Sequence, residues 1–241
     1  SSFPGKFAQY QWGGAEGSPK SLGDLLKDLE TTKKPIIVVT TIHSLKLKIE
    51  NEIDENLIKN TDILYVEGYL WDEPETIVAL REAIEIARDN QVKVAFSLSD
   101  AFCVERHRDD FLNMMDHFDI LFANEIEMSV LIGKDFVDND YKKTKEIIGH
   151  YNPQLVVAMT VSDKGAVVFK DYNTYQIPTI KIEKVTDTTG AGDAFAAGFL
   201  YGIDHGLDFQ ESAALGNVFA GGVIVQIGAR MEKEKLLELI Q

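Results

Sequence analysis

The sequence predicts an α/β fold: a doubly wound, mostly parallel sheet flanked by helices. Two observations carry that prediction. Short, continuous apolar runs recur at Ile63 to Val66, Val92 to Leu98, Ile120 to Ala123 and Leu155 to Thr160, as strands buried on both faces do. Between them lie segments with apolar residues at helical spacing, and strands joined through helices imply crossovers of one hand. In such sheets ligands bind beyond the carboxyl ends of the strands, so polar residues placed there are the candidates for chemistry.

The elements follow in order. Residues 1–19 are rich in Gly, Ser and aromatics, and Gly13-Gly14 and Gly17-Ser18-Pro19 read as turns. Leu22, Leu25, Leu26 and Leu29 make Ser21 to Glu30 an amphipathic helix, and the β-branched run from Pro35 to Thr41 reads as a strand. Leu45, Leu47 and Ile49 alternate like a strand, whereas Ile53 to Ile58 looks like a short helix. Pro74 sits where a first-turn proline is favoured. Ile77, Leu80, Ala83, Ile84 and Ala87 then form the inner stripe of a helix reaching about Asn90. Further helices are predicted at Arg106 to Met115, Glu125 to Ile132 and Tyr141 to His150, and a strand at Ala166 to Lys170. Ile180 to Val185 reads as β-like, Ala194 to Tyr201 and Ala213 to Val225 as helices, and Glu234 to Ile240 as a closing helix. These readings divide the chain into an atypical N-terminal part, residues 1–60, and an α/β core, residues 61–241.

Composition narrows the function classes. A chain of 241 residues with 45% hydrophobic and 26% charged residues is ordinary for a soluble globular protein. A formal net charge of −15 argues against nucleic acid polymers and acidic membranes as partners, though not against a nucleotide held in a local anion site. The single cysteine, Cys103, excludes an intrachain disulfide and suits a reducing compartment. No run is long enough to span a bilayer, and the N-terminus has no signal-peptide pattern, so a cytoplasmic protein is expected.

The stretch Asp187-Thr188-Thr189-Gly190-Ala191-Gly192-Asp193-Ala194-Phe195 carries the most chemistry. Glycines let backbone approach an anion, and the helix that follows aims free N–H groups at it. Asp193, in the first turn of that helix, is placed to accept a proton from a hydroxyl. The bland alternative is a tight turn before a core helix. The nine residues together match closely the C-terminal signature of the ribokinase-like carbohydrate and nucleoside kinases, the PfkB family. That resemblance implies that Asp193 is the catalytic base and that Gly190, Ala191 and Gly192 form an anion hole for the transferred phosphoryl group.

Other motifs extend the resemblance. Asn124-Glu125-Ile126-Glu127 resembles the family's Asn-x-x-Glu element, in which hard oxygen ligands serve Mg²⁺ beside substrate phosphates. Asn124 and Glu127 would equally make a capping box. Thr160-Val161-Ser162-Asp163-Lys164-Gly165 resembles a Thr-x-Gly-x-x-Gly element that touches the nucleotide, with Ser162 in place of its first glycine. By resemblance Thr160, Ser162, Gly165 and Gly228 lie on the nucleotide side, and Asn217 contacts the adenine end of ATP. Asp187 and Thr189 match positions that hold a monovalent cation such as K⁺, or else Asp187 braces the turn. Residues 65–72 and 97–108 are similar to segments of bacterial adenosine kinases, which tilts the acceptor toward a nucleoside. There Ser99 and Asp100 either touch the acceptor or cap the next helix. Arg106, His107 and Arg108 either face the anionic cleft or form a solvated basic turn, the reading favoured here, and Cys103 reads as a small buried residue.

The resemblance covers Asp62 to about Leu239, and the chain is shorter than the kinases it resembles, so a reduced or missing lid is expected. The function implied is an ATP- and Mg²⁺-dependent phosphotransferase acting on a primary hydroxyl of a nucleoside such as adenosine, or of a sugar, as a monomer or homodimer. The alternative is a nucleotide-binding module with little or no kinase activity. A Rossmann dehydrogenase is excluded, because no Gly-x-Gly-x-x-Gly follows the first strand.

Overall fold

The computed structural model describes residues 37–39, 53, 55–133, 141–171, 173–229 and 231. The helices expected at Ser21 to Glu30 and Glu234 to Ile240, the glycine pairs near the start and the alternation at Leu45 to Ile49 lie outside these residues. So does most of the expected lid region. The described residues form two compact units, one within Lys34–Gln176 and one within Ile177–Gln241.

The first unit is built on a seven-stranded sheet whose order follows the chain: β1 (Ile37–Val39), β2 (Ile63–Glu67), β3 (Lys93–Ser97), β4 (Ile120–Asn124), β5 (Val156–Thr160), β6 (Ala166–Lys170) and β7 (Asn173–Ile177). β1 to β5 are parallel and β6 returns antiparallel to β5, with Val157 opposite Phe169. The mostly parallel α/β sheet expected from the sequence is therefore the one observed. Its helices are α1 (Glu55–Lys59), α2 (Pro74–Asp89), α3 (Ala101–Asn113), α4 (Glu125–Ile132) and α5 (Tyr141–Tyr151). Leu64, Val66, Val94, Phe96, Leu121, Ala123, Val157 and Met159 form one apolar cluster with Leu80 and Ile84 of α2, Phe111 of α3 and Met128 of α4. The alternate strand residues, among them Ile63, Tyr65, Ala95, Phe122 and Ala158, are buried too, which is why these strands read as unbroken apolar runs. Phe96 anchors the cluster: it stacks on Phe118 at 4.4 Å between ring centroids and meets Trp71 and Phe111 edge-on. Aromatic pairs of this kind contribute about 0.5–1.5 kcal/mol each beyond the area they bury.

The second unit contains α6 (Ala191–Asp204) and α7 (Phe209–Ile224), whose backbones meet closely. A Cβ on Gly198 would stand 2.9 Å from the Gly216 Cα, and one on Gly202 would stand 2.6 Å from the Ser212 hydroxyl oxygen.

Several boundaries differ from expectation for identifiable reasons. α3 begins at Ala101, not Arg106, because the Asp100 carboxylate accepts from the Cys103 N–H at 2.9 Å and caps it. α7 begins at Phe209, not Ala213, because Asp208 and Glu211 form a reciprocal capping box. α6 starts at Ala191, three residues before the predicted Ala194. Ile180 to Val185 is not a strand: Ile180 and Ile182 lie over Gly221 of α7, so their alternation serves a helix surface and not a sheet. β7 went unpredicted because Asn-Thr-Tyr-Gln-Ile is mostly polar and exposed.

Candidate active site

Parallel pairing brings the ends of β2 to β5 to one edge of the sheet. Glu67 pairs with Ser97, Ser97 with Phe122, and Asn124 with Thr160. Beyond β3, Ser99 takes a left-handed conformation (φ 69°). Its hydroxyl accepts from the Tyr69 N–H at 3.2 Å, and its own N–H donates to the Ser97 hydroxyl at 3.2 Å. Ser99 thus ties two strand ends together, while Asp100 caps α3. Phe102, in the first turn of α3, is 72% exposed, an unusual position for a large aromatic ring. Sequence reasoning passed over it, since only exposure distinguishes it from the core phenylalanines.

Beyond β4, Asn124 and Glu127 form the full capping box. The Asn124 side-chain oxygen accepts from the Glu127 N–H at 2.8 Å, and the Glu127 carboxylate accepts from the Asn124 N–H at 2.9 Å and from its side-chain amide at 2.6 Å. Burial raises the Glu127 carboxyl to about 7, against the hydrogen bond from the Asn124 backbone, and the nearby Asp100 charge adds to the rise. Beyond β5, Thr160 is half-buried, Ser162 is exposed with φ 48°, and Gly165 has φ 103°. The serine that replaces the family's glycine therefore keeps a glycine-like backbone. The same segment makes the tight turn into β6, through the Val161 N–H to Gly165 carbonyl bond at 2.8 Å.

In the second unit the signature wraps the start of α6. Gly190 is the left-handed N-cap (φ 78°), and a Cβ there would stand 2.6 Å from the Ala229 Cβ, so conformation and packing both require glycine. The Ala191 N–H is turned to the Thr188 carbonyl at 3.1 Å. Of the three expected anion-hole residues, then, Ala191 has its amide committed, and the first-turn amides left without a partner inside the helix are those of Gly192 and Asp193. A Cβ on Gly192 would meet nothing within 4 Å among the described residues, so space stands open where its side chain would be. Asp193 keeps much of its surface in solvent, yet the atoms packed around its carboxyl desolvate it and push it above its ordinary value.

Asp187 braces this turn, accepting from the Thr189 N–H at 2.9 Å and the Gly228 N–H at 3.0 Å, bonds that hold its carboxyl below the usual range. Asn217 is buried, and its amide donates to the carbonyls of Ile177 and Pro178 at 3.3 and 3.2 Å, tying α7 to the segment that enters the unit.

Arg106 and His107 do not form a solvated turn. Both lie in α3 and grip Asp72: the Arg106 guanidinium donates to both carboxylate oxygens at 2.9 and 2.7 Å, and His107 Nε2 lies 2.8 Å from Oδ1. The Arg106 hydrogen bond foremost holds the Asp72 carboxyl below its ordinary value. Cys103 is fully buried, as expected, and desolvation pushes its thiol to about 12. A cavity of about 640 Å³ lined by Lys145, Gln154, Leu155 and Lys170 opens at the other end of β5 and contains none of the candidate residues.

Residues 27–236 match the pfkB family carbohydrate kinase profile. The chain belongs to the pfkB family. It is 25% identical over 233 residues to the adenosine kinase of Saccharomyces cerevisiae, covering 90% of this chain and 68% of that protein. It is 30% identical over 183 residues to the ribokinase of Lactococcus lactis, covering 76% of this chain and 54% of that one. The solved structure of adenosine kinase from Sinorhizobium meliloti superposes with a TM-score of 0.72 at 37% identity, over 78% of this chain and 56% of that one. The chain thus spans about half to two thirds of these pfkB relatives, and its fold is ribokinase-like. Among the described residues, no helix is long and apolar enough to cross a membrane.

Proposed function

We propose that this pfkB-family chain carries an ATP-dependent phosphotransferase activity toward the primary hydroxyl of a nucleoside, with Asp193 as general base. The observation that carries the proposal is the start of α6, where a glycine with open space at its Cβ position adjoins a carboxyl whose proton affinity is raised. Asp193 takes the proton of the acceptor hydroxyl, and the Gly192 and Asp193 amides receive the charge of the transferring phosphoryl group.

Taken by itself, the first unit carries groups of the kinds a phosphotransferase uses. Thr160, Ser162 and Gly165 offer hydroxyl and backbone contacts to a nucleotide. Asn124 and Glu127 offer hard oxygen donors that would hold Mg²⁺ through water. When bound, that ion neutralises phosphoryl charge. Phe102 favours a nucleoside over a sugar as acceptor: an exposed ring beside Ser99 and Asp100 suits a base face, and base–aromatic stacking contributes about 1–3 kcal/mol.

The test is ADP release from Mg-ATP with adenosine, other nucleosides, ribose, fructose and a keto-deoxy sugar acid, with Asp193→Asn run in parallel. Acceptor-dependent release that is lost in the variant, while ATP affinity is kept, is expected. Phe102→Ala should raise KM for the nucleoside far more than for ribose. ATP binding with no turnover on any acceptor would favour a nucleotide-binding module instead.

A further inference from the structure

The turn after β2 and the face of α3 converge on a cluster that the phosphotransferase reading does not use. Asp72, Cys103 and His107 each bring one donor atom to a point where all three lie within 4.8 Å of one another. Cys103 and His107 are four residues apart, so their side chains project from the same face of α3. At His107 the helix is kinked (φ −117°, ψ 16°). Asp72 arrives from the 3-10 turn Gly68–Asp72, some thirty residues earlier in the chain.

We propose that Asp72, Cys103 and His107 form a binding site for a borderline-soft divalent ion of the Zn²⁺ type. The donor set is one carboxylate oxygen, one sulfur and one imidazole nitrogen. Zn²⁺ takes all three, whereas Mg²⁺ and Ca²⁺ select oxygen alone. Three protein donors leave the fourth tetrahedral position to water or an exogenous ligand.

For the imidazole and the carboxylate the rearrangement required is small. His107 Nε2 and Asp72 Oδ1 are 2.8 Å apart, and they need to separate by only about 0.5 Å to share an ion at bond lengths of about 2.0–2.1 Å. Arg106 gives up its contact with Oδ1 but keeps Oδ2, to which its Nη2 already donates at 2.7 Å. Its guanidinium charge then stands beside the bound cation and opposes it. Cys103 binds as thiolate: its proton passes to solvent as the metal–sulfur bond forms, so affinity rises with pH. Burial keeps the uncharged thiol in the metal-free protein, and the ion supplies the positive charge that a buried thiolate needs.

The test is a titration of the 241-residue chain with Co²⁺, in chelator-free buffer, using a reductant that does not bind metal. One equivalent should raise a near-ultraviolet thiolate-to-cobalt charge-transfer band and visible d–d bands, and Zn²⁺ should bleach both. Cys103→Ala should abolish the charge-transfer band. His107→Gln and Asp72→Asn should weaken binding about tenfold or more. Arg106→Gln, which releases Oδ1, should tighten it, a gain that misfolding cannot imitate. Circular dichroism would check that each variant folds. Should Cys103→Ala not fold, the wild-type band and its response to His107→Gln decide. No charge-transfer band in folded wild type, a band that survives Cys103→Ala, or binding indifferent to His107→Gln would overturn the site.

Discussion

Replacing Glu127 by Gln should change the sign of a stability difference between acid and mildly alkaline pH. The folded carboxyl sits at about 7 and its ordinary value is 4.5, so the folded protein binds this proton more tightly than the unfolded chain does. The stabilisation is therefore full below about pH 4.5 and is lost as pH rises through about 7. A difference of about 2.5 pH units at about 1.36 kcal/mol each amounts to roughly 3 kcal/mol. Gln carries no charge and escapes that loss. It also offers one acceptor where the carboxylate takes two hydrogen bonds, from the Asn124 N–H and the Asn124 side chain, and the lost bond costs about 1 kcal/mol. Glu127→Gln should thus be about 1 kcal/mol less stable than wild type near pH 3, about equal to it near pH 5 and about 2 kcal/mol more stable near pH 8. Urea unfolding followed by the fluorescence of Trp71, buried in the same unit, would measure these differences. Parallel pH profiles for the two proteins would refute the reasoning. If Glu127 also serves Mg²⁺, the stabilised variant should need more Mg²⁺ for half-maximal turnover.

Three further outcomes are expected. With Asp193 as base, the acid limb of the kcat/KM profile should lie above the ordinary aspartate value of 3.8, because desolvation favours the protonated form; a limb at or below that value would argue against the assignment. Ser162→Gly should raise stability by about 0.5–1 kcal/mol in urea unfolding, since glycine relieves the left-handed strain at φ 48° and returns part of the gain as chain entropy. Gly198→Ala should cost about 1–3 kcal/mol in the same assay, because its methyl would press on the backbone at Gly216 and Leu215, which no rotamer change can relieve.

What the sequence disclosed and what it hid follow from the range of the interactions involved. The runs at Ile63 and Ile120 announced strands because burial on both faces needs nothing but apolar residues in succession. Helix starts were harder, since the first turns at Asp100 and Asp208 are polar and the apolar stripe begins later. Asn124 and Glu127 were legible as a pair because they lie only three positions apart, and the same proximity let two roles compete for them. The grip of Arg106 and His107 on Asp72 spans 34 and 35 residues and leaves no local trace, so those side chains read as solvated.

The glycines of α6 and its N-cap divide according to what each one answers to. Gly190, Gly198 and Gly202 answer to neighbouring atoms already in place, so a library of variants should find them intolerant whether or not catalysis is selected. A methyl at Gly192 would meet no other atom within 4 Å among the described residues. Natural selection for folding alone would let alanine drift into that position, at some gain in helix propensity. A screen for expression and a screen for turnover should therefore disagree at Gly192 and agree at Gly190, Gly198 and Gly202, which would support a phosphoryl site at that amide without a ligand being seen.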